Sequence, residues 1–393
     1  MRSRFDSSVL VLVPLLLAAA ASEVRAAEFA TGDLYLVSAN LPNPNPPGFQ
    51  SGVLRITPGA ATQTLLVQFP VAFGSHAATY DPFRKRIVAK LGGMSVDLRL
   101  IDANGAIATL PTSFDQSPRD LAPTGDGRIY LLGSTKIGWI DGAGQTHDLL
   151  DVNGVNVFAI TLGGQSGTMI YDASSNALVV ADSLDPETRV RRIPLSVDGT
   201  RVAGAIVQTT VVGSNDGSEE PVGLSARSVG DLLLTIDDNS NSTQPRMQLV
   251  APATLATTPF AFSGYQGVGG ETAGCYSNVT NAAIMLDTLN DVLRAYAQGQ
   301  SGGGSAFAGG VSSPSGSGDM ARLIEIGGTI GGGGVAPLVG DLNGDGHVDG
   351  GDLGLLLSNW GPCPNCASCV GDINGDCIVD GADLGTLLGA WTG

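Results

Sequence analysis

Pro123-Thr-Gly-Asp-Gly127, then Ile129-Tyr-Leu-Leu132, a short polar gap, and Ile137-Gly-Trp-Ile140 read as a turn, an apolar strand, a break and a second apolar strand. The same grouping recurs along the chain. First runs start at Leu34, Ile87, Ile129, Leu178, Leu232 and Ala283, 42 to 54 residues apart. Each is followed by a second run: Leu54-Arg-Ile56, Leu98-Arg-Leu-Ile101, Ile137 to Ile140, Val190-Arg-Arg-Ile193, Met247-Gln-Leu-Val250 and Val292-Leu-Arg-Ala295. Turns of one kind precede several of them, as in Tyr80-Asp-Pro-Phe83 and Tyr171-Asp-Ala-Ser-Ser-Asn176. A turn and two strands, six times over, is the periodicity of propeller blades.

The expected fold is therefore mainly β, a six-bladed β-propeller over residues 27–326. One or two β-sandwiches also show regular strands; the propeller is favoured because the paired runs repeat as units. At the level of fold the pattern resembles NHL or TolB-like propellers, without a WD or kelch signature. Met320-Ala-Arg-Leu-Ile-Glu-Ile326 is read as a last strand that closes the ring, and Gln298 to Gly318, full of Gly and Ser, as a loop or linker. Composition agrees: 56 glycines in 393 residues, 15% charged and 5% aromatic, suggest short strands and tight turns.

After a glycine-rich tether at 327–340 the chain changes character. Asp341, Asn343, Asp345, His347, Asp349 and Asp352 stand at positions 1, 3, 5, 7, 9 and 12 of one loop, and Asp372, Asn374, Asp376, Ile378, Asp380 and Asp383 at the same positions of a second, 31 residues later. Side-chain oxygens, with the position-7 carbonyl of His347 or Ile378, make the hard shell that Ca²⁺ prefers. Leu353, Leu356, Leu357 and Trp360 follow the first loop, and Leu384, Leu387, Leu388 and Trp391 the second, each set spaced as one apolar stripe on a helix. Two loops in register, each with the same stripe, point to two bound calcium ions rather than to two solvated acidic turns. A duplicated loop and exiting helix, with Asp at position 12, resembles the type I dockerin family over residues 341–393. The resemblance implies a small α-helical domain that docks through Ca²⁺ onto a cohesin-like module or a cell-surface protein, and often carries polysaccharide-degrading enzymes. Positions 10 and 11, often a hydroxyl pair in that family, are here Gly350-Gly351 and Gly381-Ala382, and no Lys or Arg follows Arg322.

Arg2 and Arg4, an apolar run from Val9 to Ala21 and Val24-Arg25-Ala26 read as a signal peptide, cleaved near Ala26, so the expected location is extracellular. No later run is long enough to cross a membrane. The net charge of −17 argues against nucleic acid as a partner. Five cysteines leave Cys275 alone, with Cys363, Cys366, Cys369 and Cys377 clustered between the loops. Two local disulfides are expected, with Cys369–Cys377 plus Cys363–Cys366 as the pairing that would staple the second loop. Cys363 or Cys366 with Cys377, or a zinc or iron–sulfur ligand set, are the alternatives.

No nucleophile, phosphate-loop or zinc-protease motif stands in a suitable context, and Gly163-Gly-Gln-Ser-Gly-Thr168 is read as a turn. His76 begins a blade and is placed at the channel, whereas His147 lies on another blade. Asp81, Asp97, Asp102, Asp126, Asp141, Asp172 and Asp182 are read mainly as turn residues; a carboxylate pair for glycoside hydrolysis would be drawn from among them, and no spacing selects one. The expected function is a secreted calcium-binding interaction protein with a propeller as recognition surface. The alternative is a polysaccharide-active hydrolase or lyase. The scarcity of His, Arg and aromatic residues, with Trp139 the one tryptophan before the calcium loops, favours the first.

Overall fold

The computed structural model describes residues 28–391 apart from residue 31 and segments 45–46, 58–62, 70–76, 91–95, 157–166, 185–186, 212–218, 239–245, 264–273, 288–291, 302–303, 310–321, 327–339, 341, 343–347, 364–368 and 374–376. The leader expected at 1–26, the tether except Gly340, and His76 lie outside the described residues.

Blade 1 holds β1 (Leu34–Pro44), β2 (Pro47–Ile56) and β3 (Gln63–Gln68). Blade 2 is β4 (Ala78–Asp81), β5 (Arg86–Lys90), β6 (Leu98–Ile101) and β7 (Ile107–Leu110); blade 3 is β8 (Asp120–Pro123), β9 (Ile129–Leu132), β10 (Ile137–Ile140) and β11 (Thr146–Asp148). Blade 4 runs β12 (Gly167–Asp172), β13 (Ala177–Leu184), β14 (Glu187–Pro194) and β15 (Val207–Val211). Blade 5 runs β16 (Glu219–Ala226), β17 (Leu232–Asp238), β18 (Arg246–Val250) and β19 (Thr257–Pro259), and blade 6 β20 (Gly274–Ser277), β21 (Ala282–Asp287), β22 (Val292–Tyr296) and β23 (Ser305–Gly309). The last strand, β24 (Arg322–Glu325), joins blade 1 as its innermost strand, in the order β24-β1-β2-β3. The molecule is a six-bladed β-propeller of antiparallel four-stranded sheets.

The twelve apolar runs are the second and third strands of the blades. Both faces of these strands are covered by neighbouring blades, so they carry near-continuous Val, Ile and Leu; β9, β10 and four residues of β5 are fully buried. Core clusters pass from blade to blade: Tyr130, Trp139, Leu178 and Ile193 join blades 3 and 4, and Val179, Val190, Leu224 and Leu234 join blades 4 and 5. Outer strands such as β7 are mostly exposed and carry no such signal.

Turn chemistry accounts for much of the Gly and Asp content. Asp102, Asp141 and Asp151 each accept backbone N–H bonds two and four residues on, at 2.8–3.0 Å. A glycine three residues after each, Gly105, Gly144 or Gly154, takes φ between 75 and 85°. Asp81 and Asp172 cap the turn between first and second strands in blades 2 and 4, where Lys85 and Asn176 occupy left-handed backbone.

Ring closure rests on Leu34–Val37 pairing with Arg322–Glu325, and on Ile324 packing among Tyr35, Val37 and Val53. Ile324→Ala should therefore cost about 2–4 kcal/mol of stability. Val197→Ala, at a fully exposed position, should stay within about 0.5 kcal/mol. Urea unfolding of both variants checks this; equal losses would place β24 outside the cooperative core.

Candidate functional site

All six innermost strands converge on an axial cavity of about 70 Å³, bounded by Ala78, Thr79, Leu121, Ser225 and Leu323 among others. Arg322 from β24 and Asp120 from β8 are its buried charged pair. The Arg322 guanidinium reaches across the axis and donates through Nη1 to the Val222 carbonyl in blade 5, at 3.1 Å, and through Nη2 to the Arg119 carbonyl beside blade 3, at 3.4 Å. Its Nε lies 3.9 Å from Asp120 Oδ1, beyond hydrogen-bond range. Asp120 is held elsewhere: Oδ1 accepts from Leu121 N, and Oδ2 from Thr168 Oγ1 and Met169 N, both at 2.7 Å.

At the other end of the same strands Glu325 accepts from Ser277 Oγ and, at 2.9 Å, from Asn278 N, which latches the closing strand onto blade 6. Burial pushes the Asp120 carboxyl up, with Arg322 and the three donors opposing it; burial likewise raises Glu325 against the pull of Ser277 and nearby backbone N–H groups. Neither acid was singled out from sequence. The signal that marks them is a carboxylate inside a short innermost strand (Asp-Leu-Ala-Pro, Arg-Leu-Ile-Glu), where an axis-facing position has no solvent to carry the charge.

The acids that the sequence offers for a carboxylate pair do not gather into one site. Asp81, Asp102, Asp126, Asp141 and Asp172 accept turn hydrogen bonds, and Asp97 accepts from Thr112 N. Asp182 is fully buried beside Arg189 and Arg191, at 2.8 and 3.3 Å, a structural ion pair within blade 4. His147 stacks on Trp139 at 4.1 Å and meets Asp141 at 3.1 Å, while Arg128 covers Trp139 at 4.9 Å. Trp139 is buried and offers no platform.

In the C-terminal module α1 (Gly350–Ser358) and α2 (Gly381–Gly389) follow the two loops, and β25 (Gly361–Pro362) pairs with β26 (Ile378–Val379). The described parts of the loops share one frame. Asp352, fully buried, accepts from Leu342 N and Asp349 N at 2.6 and 2.9 Å; Asp383, fully buried, accepts from Ile373 N and Asp380 N at 2.8 and 2.9 Å. Asp349 and Asp380 are N-caps in matching capping boxes. Asp372 accepts from Cys377 N. Asp341, Asn343, Asp345, His347, Asn374 and Asp376 lie outside the described residues. Among the described residues no three His, Cys, Asp or Glu side chains converge as a metal cluster. The described positions supply hard carboxylate oxygens, a donor set that suits Ca²⁺.

Two expectations change here. The apolar stripe splits: Leu356 and Leu387 are buried with Val348 and Val379, whereas Leu357, Trp360, Leu388 and Trp391 are 40–52% exposed. The helices end at Ser358 and Gly389, so the tryptophans lie beyond the helical period. The disulfide is Cys363–Cys369, with Cα atoms 5.7 Å apart, rather than Cys369–Cys377. Pairing of β25 with β26 carries Cys363 past Cys377, whose carbonyl accepts from Cys363 N, and the chain returns at Cys369 just before Asp372. Cys377, at φ 71°, is disulfide-bonded too, and Cys366, the remaining cysteine beside the free Cys275, lies outside the described residues. Sulfurs in disulfides are not thiolate ligands, which removes the zinc and iron–sulfur readings for this cluster.

No family model matches the chain, and no curated protein matches it. Among solved structures it is similar to the periplasmic gluconolactonase of Pseudomonas aeruginosa, at 13% identity over 75% of this chain and 86% of the other, with a TM-score of 0.48. It is also similar to TolB from Acinetobacter baumannii, at 11% identity over 70% and 67%, TM-score 0.41. A gluconolactonase from Xanthomonas campestris matches at 13% identity over 72% and 86%, TM-score 0.41.

Glu325 carries a pH prediction. Its folded pKa lies above the unfolded value, so the folded state holds the extra proton, and this contribution is lost as pH rises through the raised value. Glu325→Gln should lose less stability than the parent through the pH range above about 4. Denaturation midpoints across that range check it; parallel curves would contradict it.

Proposed function

We propose that the chain is an exported calcium-binding interaction protein in which residues 341–393 attach a propeller recognition domain to a cohesin-like or cell-surface partner. The observation that carries the reading is the shared frame of the two loops: a buried position-12 aspartate, bonded to the backbone N–H groups of positions 2 and 9, recurs in both. Residues 341–393 hold eight aspartates and no Lys or Arg, so their mutual repulsion demands a cation. Calcium, when bound, supplies the charge that neutralises these carboxylates. Asp349, Asp352, Asp372, Asp380 and Asp383, the carbonyl of Ile378 and the loop positions before them would hold it.

The outward Leu357, Trp360, Leu388 and Trp391 supply a contact surface of the kind interfaces favour. Trp139, closed over by Arg128 and His147, is not open to stack on a sugar ring.

Calorimetry of the full secreted chain with CaCl₂ should count two ions. Asp352→Asn and Asp383→Asn should each weaken one site by about tenfold or more while leaving the other. Absence of saturable heat after EGTA treatment would sink the reading. Trp360→Ala with Trp391→Ala should keep both ions and lower calcium-dependent capture of the partner from the secreted fraction.

A further inference from the structure

The Arg322 guanidinium has five N–H donors, and two of them are accounted for by the carbonyls of Val222 and Arg119. Nε has no hydrogen-bond partner, although the side chain is 93% buried, being 7% exposed. Leaving a buried guanidinium N–H without an acceptor is costly. The nearest carboxylate does not meet the need, because Asp120 is turned toward Leu121, Thr168 and Met169. An arginine that only braced the ring would be expected to close on Asp120; this one stops 3.9 Å short and faces the cavity.

We infer that the axial cavity binds a small monocarboxylate, with Arg322 as the residue that grips it. Three features select that class. The free edge of a guanidinium is a planar fork whose geometry matches a carboxylate. The volume of about 70 Å³ is roughly half that of a cavity that accommodates benzene, which limits the buried part of a ligand to a few non-hydrogen atoms. Asp120, close by and held by three donors, repels a divalent anion such as sulfate or phosphate more than a singly charged one. Leu121 and Leu323 are apolar lining for a short carbon tail, Thr79 and Ser225 are among the polar residues beside them, and Glu325 is a second buried acid on the same lining that disfavours a doubly charged anion further. Ring closure and ligand binding thus meet in one residue, since Arg322 belongs to the closing strand.

The test uses the full secreted chain in calcium buffer, titrated with sodium formate and sodium acetate at constant ionic strength, with NaCl and Na₂SO₄ as references. Calorimetry should report one site with a dissociation constant on the order of millimolar. In ¹H–¹⁵N spectra of the arginine side chains one Nε–H resonance should shift saturably with formate, and not with chloride or sulfate. Arg322→Gln should remove that resonance and weaken binding by about tenfold or more. If Arg322→Gln does not fold, the wild-type chain still decides: contacts from the formate proton to the Leu121 or Leu323 methyls support the site. No saturable heat and no resonance shift at tens of millimolar would overturn the inference. An equal response to sulfate would overturn the carboxylate assignment.

Discussion

Closure of the ring is the constraint on which everything else depends. Each blade presents two apolar faces on its second and third strands, and a blade alone would leave both in water. The hydrophobic effect is satisfied only when every blade has a neighbour on each side, so the first and last blades must meet. The chain meets this demand inside one sheet: β24, whose Arg322 lies 285 residues after its ladder partner Val37, is not an added layer but the missing first strand of blade 1. Four ladder pairs and the packing of Ile324 therefore couple the two ends of the domain.

That coupling explains why the buried charges sit where they do. Arg322 and Glu325 bracket β24; the first bonds across the axis to blade 5 and to the segment before blade 3, and the second to the turn of blade 6. A closing strand needs directional bonds as well as apolar area, because apolar packing alone tolerates a slip in register. Burying the Asp120 and Glu325 carboxylates opposes folding: burial pushes both upward, and the hydrogen bonds around them offset it only in part.

The sequence was legible where one physical signal dominated. The second and third strands, such as Ile129–Leu132 and Ile137–Ile140, are apolar because both faces are covered, and their pairing revealed the blade count. The innermost strands were hidden by brevity and mixed polarity, as in Asp120–Pro123, and the outermost by exposure, as in Ile107–Leu110. The axial site was hidden for another reason. Arg322 and Asp120 are 202 residues apart and come together only through closure, which no local pattern encodes. In the module, spacing revealed the matched frames around Asp352 and Asp383, but i, i+4 periodicity placed Leu357 and Trp360 on the buried stripe. Each helix stops after about two and a half turns and has one small partner to pack on, so only Leu356 and Leu387 gain full cover.

Amide hydrogen exchange of the ring-closing ladder tests the central claim most directly. If closure holds the propeller together as one cooperative unit, the amides of β24 and of Leu34–Val37 should exchange only through global unfolding, as slowly as those of β9 and β13. Exchange of β24 orders of magnitude faster than β9, with the other blades still protected, would show that the ring stands without its closing strand and would contradict the account.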